Sequence, residues 1–154
     1  MPIVEIKDLR RALPPKARLM GIDHAEKKIG LALSNPELTV VTPFKTLSGK
    51  NFTENLKTLS ALCREYGVGG FIIGLPLNMD GTTGSRAQSV RTFASNLMKA
   101  KEQLGFDPVI VFFDERLSTF AASETLQDIP ASKRKDALDA QAAAQILNDA
   151  LKNI

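Results

Sequence analysis

The sequence predicts an α/β fold: a mixed five-stranded sheet, an antiparallel three-stranded meander plus two parallel strands, flanked by helices. Three observations predict it. Short apolar runs at Arg18–His24 (RLMGIDH) and Ile29–Ser34 (IGLALS) flank a polar turn, AEKK, in the manner of a β-hairpin. The wholly apolar runs 70–75 (GFIIGL) and 108–113 (PVIVFF) read as strands covered on both faces. Stretches with helical spacing stand before, between and after these runs, so the second half of the chain reads as β-α-β crossovers.

The elements follow in order. Residues 1–17 form a short amphipathic segment (Ile3, Ile6, Leu9, Leu13) stopped by Pro14-Pro15, an N-terminal extension to a domain spanning 18–154. Its role is either a partner-binding arm or packing. After the hairpin, residues 40–47 give a third strand, which Pro43 places at a sheet edge or a bulge. Phe52–Tyr66 has Leu56, Leu59, Cys63 and Tyr66 on one helical face, with Gly67 as the stop. Cys63 thereby reads as a core residue and not a reactive thiol. A polar loop, PLNMDGTTGS, leads to a helix over 86–104 with Val90, Phe93, Leu97 and Leu104 as its buried stripe. The strand 108–113 ends abruptly in Asp114-Glu115-Arg116, and helices over 119–127 and 133–151, separated by Pro130, complete the chain. No internal repeat or low-complexity segment interrupts this order.

Composition excludes several classes of function. The chain has 154 residues, 44% of them hydrophobic and 24% charged, which suits one core and argues against disorder. No apolar run approaches the roughly 20 residues that span a bilayer, so no membrane partner is expected. The first residues carry Lys7, Arg10, Arg11 and Lys16 but no apolar secretory core, and the single cysteine allows no intrachain disulfide. Together these features predict a cytoplasmic protein. The net charge of +3 is mild, and basic bunches at 7–18, 27–28 and 133–135 read on charge alone as solvated surface before phosphate contacts.

Acidic residues carry the sharper signal. Asp23 ends the first apolar strand, and Glu115 follows the last one, where ligand sites of open α/β sheets gather. Asp139 lies within roughly 40° of Ala143, Ile146 and Ala150 on the apolar stripe of the last helix. A carboxylate there must be paired, hydrogen-bonded or bound to a cation. Asp136 stands one turn earlier, where a helix-dipole role competes with a ligand role. If Asp23, Glu115 and Asp139 converge, they form a hard all-oxygen site suited to Mg²⁺ or Mn²⁺, with no histidine cluster to suggest zinc. His24, the one histidine, sits beside Asp23, where a turn role outweighs a phosphate contact.

The segment LPLNMDGTTGSRAQ (75–88) combines glycines, hydroxyls and a helix start. Thr83 or Ser85 is a candidate cap and Arg86 a candidate for bidentate grip on a phosphate. The spacing of a P-loop is missing, which argues against nucleoside triphosphate binding.

Four segments, in order, resemble the YqgF/RuvX family of nucleases: GIDHAEKKIGLALS (21–34), IIGLPLNMDGTTGSRAQSVRTFA (72–94), FFDERLST (112–119) and DALDAQAAAQIL (136–147). They span essentially everything after Ala17. The resemblance implies a ribonuclease H-like fold and maturation of the 5′ end of small-subunit ribosomal RNA, or cleavage of branched DNA junctions as in the distantly related RuvC resolvases. It carries the family's catalytic acids onto Asp23 in GID, Glu115 in DER and Asp139 in LDAQAA. Three departures stand out: Ala25 where the family usually has glycine, Lys27-Lys28 where Lys-Arg is common, and Asn35 where aspartate is frequent. The second gives up bidentate phosphate recognition.

The resulting expectation is a Mg²⁺- or Mn²⁺-dependent nuclease on structured RNA. Asp23, Glu115, Asp139 and Asp136 are its metal candidates, and Lys27, Lys28, Thr83, Ser85, Arg86 and Arg116 its candidate nucleic-acid contacts. A first rival keeps the chemistry on branched DNA and predicts a two-fold homodimer in place of a monomer. A second rival is a non-catalytic RNA-binding module for ribosome maturation.

Overall fold

A computed structural model of the chain describes residues 3–25, 28–48, 51–78, 80–115 and 131–154, the side chains of 131–138 excepted. A five-stranded sheet runs in the order β3-β2-β1-β4-β5. Its strands are β1 (Arg18–His24), β2 (Ile29–Ser34), β3 (Val41–Leu47), β4 (Val68–Leu75) and β5 (Val109–Asp114). β1, β2 and β3 pair antiparallel, whereas β4 pairs parallel with both β1 and β5. The predicted meander and parallel pair are therefore both present. Pro43 stands on the edge strand at a bulge: Lys45 faces Leu31 and Pro43 faces Ala32, which leaves Phe44 as the extra residue.

Helices cover both faces. α2 (Phe52–Tyr66) is capped by the Asn51 side chain, which accepts the Glu54 N–H at 3.0 Å. It ends at Gly67, whose φ of 69° is left-handed. α2 and α3 (Ser85–Lys99) pack on one face around Met20, Ile22, Phe71, Ile73, Leu59, Phe93 and Leu97. α5 (Ala131–Leu151) covers the other face, where Leu19, Ile72, Val111 and Phe113 meet Ala143, Ile146 and Leu147. Gly30 in β2 lets α5 lie this close, because a Cβ there would collide with the backbone carbonyl of Asp139.

Three boundaries differ from the sequence-based expectation. β4 begins at Val68 and not residue 70, because the left-handed Gly67 turns the chain directly into the sheet. The helix expected over 86–104 is two: α3 stops at Ala100, whose N–H is shared by the carbonyls of Asn96 and Leu97, and α4 (Lys101–Leu104) follows. Leu104, the last residue of α4, is buried, as its place on the predicted stripe requires. The final helix starts at Ala131, two residues early. The helix expected over 119–127 lies outside the described residues.

The N-terminal segment is bound to the domain. Ile3 bridges Ile110 of β5 in parallel, and the Val4 N–H donates to the Ile110 carbonyl at 2.9 Å. A helical turn, Ile6–Asp8, runs into α1 (Leu9–Ala12). Leu9 is 0% exposed and joins Leu13 in the α5-side core. Among the described residues, no helix is long and apolar enough to cross a membrane.

Candidate active site

The carboxyl ends of β1 and β5 meet the middle of α5, and alternation along each strand decides which side chain faces it. Met20 and Ile22 point to the α2–α3 face, so Asp23 points toward α5 and His24 back toward α3. Asp23 pairs in register with Gly30, the residue that lies against the Asp139 backbone. Cross-strand partners share a face, so Asp23 and Asp139 face one space. In β5, Phe113 lies in the α5-side core, and Glu115, two residues on, follows it to that side. Gly74 of β4 leaves room for the Glu115 carboxyl: a Cβ on Gly74 would stand 3.0 Å from Glu115 Oε1 and 2.6 Å from Ile146 Cδ1.

The three acids that the sequence singles out are therefore brought together. Asp23 and Glu115 are hydrogen-bonded to each other, with protonated Glu115 as donor and Asp23 as acceptor. Burial raises the Asp23 pKa; its bond to Glu115 and the positive Arg86 act against burial, and the charge of Asp139 adds to it. Burial, then repulsion by Asp23, pushes Glu115 up to about 7, with Arg86 opposing and Asp114 adding a further rise. Asp139 is half-buried, with its Oδ2 out of solvent. Among the described residues, no three acids, histidines or cysteines close into a ready-made metal cage. What stands here is a hydrogen-bonded carboxyl pair, its Glu115 pKa raised to about 7, with a third carboxylate in electrostatic reach.

The other candidates divide. Arg86 lies at the start of α3, exposed, with its charge felt by Asp23, Glu115 and His24. Lys28 is half-buried where the hairpin turn enters β2, and its carbonyl accepts the Ala25 N–H at 2.9 Å. Lys27, Arg116 and the side chain of Asp136 lie outside the described residues. The capping role expected of Thr83 or Ser85 is corrected: the N-cap of α3 is Gly84, which has no side chain to cap with. Thr83 falls one residue too early and Ser85 is already inside the helix, so neither occupies the one position from which a side chain reaches the free N–H groups. The loop before them closes on itself. Asn78 Nδ2 donates to Thr82 Oγ1 at 2.9 Å, and that hydroxyl donates to Asp80 at 2.7 Å.

Two residues gain a place that sequence reasoning did not give them. His24 lines a cleft of about 500 Å³ with Ser85, Arg86 and Ser89. Its ring rests 4.7 Å from that of Phe93, and burial, with the charge of Arg86 adding to it, lowers its pKa. Ser89 follows Ser85 by one helical turn, a spacing visible in the sequence but without chemistry until the cleft is seen. Cys63 is buried and its thiol is pushed up to about 12, as suits a core residue.

Comparison with known proteins gives the family and the fold. Residues 17–153 match the family model RuvX, described as Holliday junction resolvase. The chain is 42% identical to a Rhodospirillum centenum protein named "Putative pre-16S rRNA nuclease", over 100% of this chain and 83% of that one. It is 43% identical to a protein of the same name from Paramagnetospirillum magneticum, over 99% and 97%. Two solved structures share the fold at 12% identity. The T. thermophilus RuvC in complex with Holliday junction substrate has a TM-score of 0.53, covering 84% of this chain and 91% of that one. The yeast mitochondrial Holliday junction resolvase Ydc2 has a TM-score of 0.51, covering 96% and 83%. The sheet and its helices are thus ribonuclease H-like, as the resemblance implied.

Proposed function

This chain belongs to the RuvX family, and from that membership we propose that it is a cytoplasmic nuclease that cuts phosphodiester bonds in structured RNA, at the 5′ end of precursor 16S ribosomal RNA. The observation that carries the chemistry is the meeting of Asp23, Glu115 and Asp139 from three distant stretches of chain at one end of the sheet. Carboxylates crowded until one of them holds a proton near neutrality are stabilised by a hard divalent cation in place of that proton. The donor set, all oxygen and negatively charged, fits Mg²⁺ or Mn²⁺.

Asp23, Glu115 and Asp139 would hold the ion, with Asp136 and Asp114 assisting. When bound, the ion supplies Lewis-acid charge for activating water and stabilising the departing oxygen. The chain's own residues do the rest. Arg86 sets a phosphate beside the acids, its fixed positive charge offsetting their repulsion of the substrate. Lys27, Lys28, Arg116, Thr83 and Ser85 contact the flanking backbone and hold its register. Purified protein with Mg²⁺ or Mn²⁺ is expected to cut a 16S precursor RNA, and Asp23→Asn to lower the rate at least about 100-fold by removing charge from the site. Equal cutting by the variant would end this assignment of roles.

A second reading keeps the same acids and changes the substrate to branched DNA. The description of the matching family favours it. Symmetric cuts across a four-way junction need two copies related by a two-fold axis, so this reading requires a homodimer. Gel filtration beside a junction-cleavage assay separates the two readings: a monomer that cuts RNA and leaves junctions intact excludes the second.

A further inference from the structure

The cleft lined by His24, Ser85, Arg86 and Ser89 lies on the α3 side of the sheet, whereas the acids face α5. Arg86 belongs to both, since it lines the cleft and its charge reaches Asp23 and Glu115. At about 500 Å³ the cleft is far larger than one phosphate. Its lining offers three chemistries at once: an aromatic ring, a guanidinium and hydroxyls.

Each has a distinct partner. The His24 imidazole is braced by Phe93, with ring centroids 4.7 Å apart, and Phe93 is braced in turn by Phe52, edge-on at 5.9 Å. A braced ring at a cleft wall is a stacking platform for a nucleobase, and only an unpaired base can reach it. Arg86 supplies donors for a phosphate. Ser89 Oγ donates its proton to the Ser85 carbonyl at 3.2 Å, so its oxygen is left to the cleft as an acceptor. A phosphate oxygen has no hydrogen to give it. A ribose 2′-hydroxyl does, and a deoxyribose does not.

We propose that this cleft takes one unpaired ribonucleotide beside the acids, its base stacked on His24, its phosphate on Arg86 and its 2′-hydroxyl on Ser89. The subsite rests on the nuclease reading above and adds the selection of single-stranded RNA next to the cut.

The test measures binding in chelator, without cleavage, to three hairpin RNAs of one sequence: blunt, with an unpaired ribonucleotide tail, and with the same tail as deoxyribonucleotides. The wild-type chain is expected to bind the ribonucleotide tail about tenfold better than the blunt hairpin, the size of one stacked base. It should favour that tail over the deoxyribonucleotide tail about fivefold, the size of one hydrogen bond. His24→Ala should remove the gain from the tail, and His24→Phe, which keeps an aromatic face on Phe93, should retain it. Ser89→Ala should bring the two tails to equal affinity. A His24→Ala variant that still prefers the tailed RNA overturns the proposal, and so does a Ser89→Ala variant that keeps the ribonucleotide preference. Equal wild-type affinity for both tails overturns the selection of RNA. Cutting of the same hairpins in Mn²⁺ is scored separately: tail preferences without cutting support the subsite and overturn the nuclease reading.

Discussion

Glu115 titrates at about 7 because burial and the Asp23 carboxylate both disfavour its charge, and Arg86 offsets only part of that. The folded chain therefore holds a proton that the unfolded chain releases near the ordinary value of 4.5. Between those two values the folded state binds more protons, so stability falls as pH rises through that window and stays lower above it. Glu115→Gln removes the penalty while keeping a hydrogen-bond donor for Asp23. Without divalent ions at pH 8, that variant is expected to melt a few degrees above wild type. The gain is about 1 kcal/mol or less, since solvent screens a half-buried carboxyl. At pH 4 the two should coincide. A wild type that melts higher at pH 8 would show that the acids are already neutralised by cations of the chain. The position of Glu115 after an apolar strand was readable in the sequence; its shared proton was not. That proton depends on Gly74, whose missing side chain lets the carboxyl settle beside Asp23.

At the level of elements, helical phase alone placed Asp139 on the apolar stripe of α5, and the structure puts that stripe on the sheet. Phase says nothing about how near the helix lies. That distance is set in another element, by Gly30 of β2. Gly30→Ala drives a methyl into the Asp139 backbone, which cannot swing aside as a side-chain tip does. The expected loss is about 1–3 kcal/mol or more, read as a lower Tm together with weaker divalent binding as Asp139 is displaced. A variant with unchanged Tm would mean that α5 does not rest on β2. The caps and breaks were less legible for a related reason. Hydroxyls at Thr83 and Ser85 fit a cap by residue type, but the turn through Asn78, Asp80 and Thr82 fixes which residue reaches the N-cap, and it is Gly84. The N-terminal segment carries the same lesson. Its spacing showed an apolar face without showing what the face met, and Leu9 proves fully buried against the α5-side core. Leu9→Ala is expected to cost about 2–5 kcal/mol. A loss under 0.5 kcal/mol would restore the alternative of a detachable arm.

Across the whole molecule, the sheet works as a partition. Neighbouring residues Asp23 and His24 leave β1 on opposite sides, so the acids and the cleft are separated by one strand and joined by Arg86. Such an arrangement couples proton, cation and stability in one equilibrium. A divalent ion that displaces the proton between Asp23 and Glu115 must release it, so binding should strengthen as pH rises through about 7, where Glu115 loses that proton unaided. At a hundredfold excess of Mn²⁺ over its dissociation constant, the folded state gains about 2.7 kcal/mol. The rise in Tm should accordingly be larger at pH 8 than at pH 6, and Asp23→Asn or Asp139→Asn should abolish it. Calorimetric titration in two buffers of different ionisation enthalpy reads the released proton directly, and close to one per ion is expected at pH 6. If Mn²⁺ raises Tm equally at both pH values and releases no proton, the ion sits elsewhere. The crowded acids would then serve only to destabilise the fold, and a chain with that cost and no cation to relieve it would gain from losing any one of them.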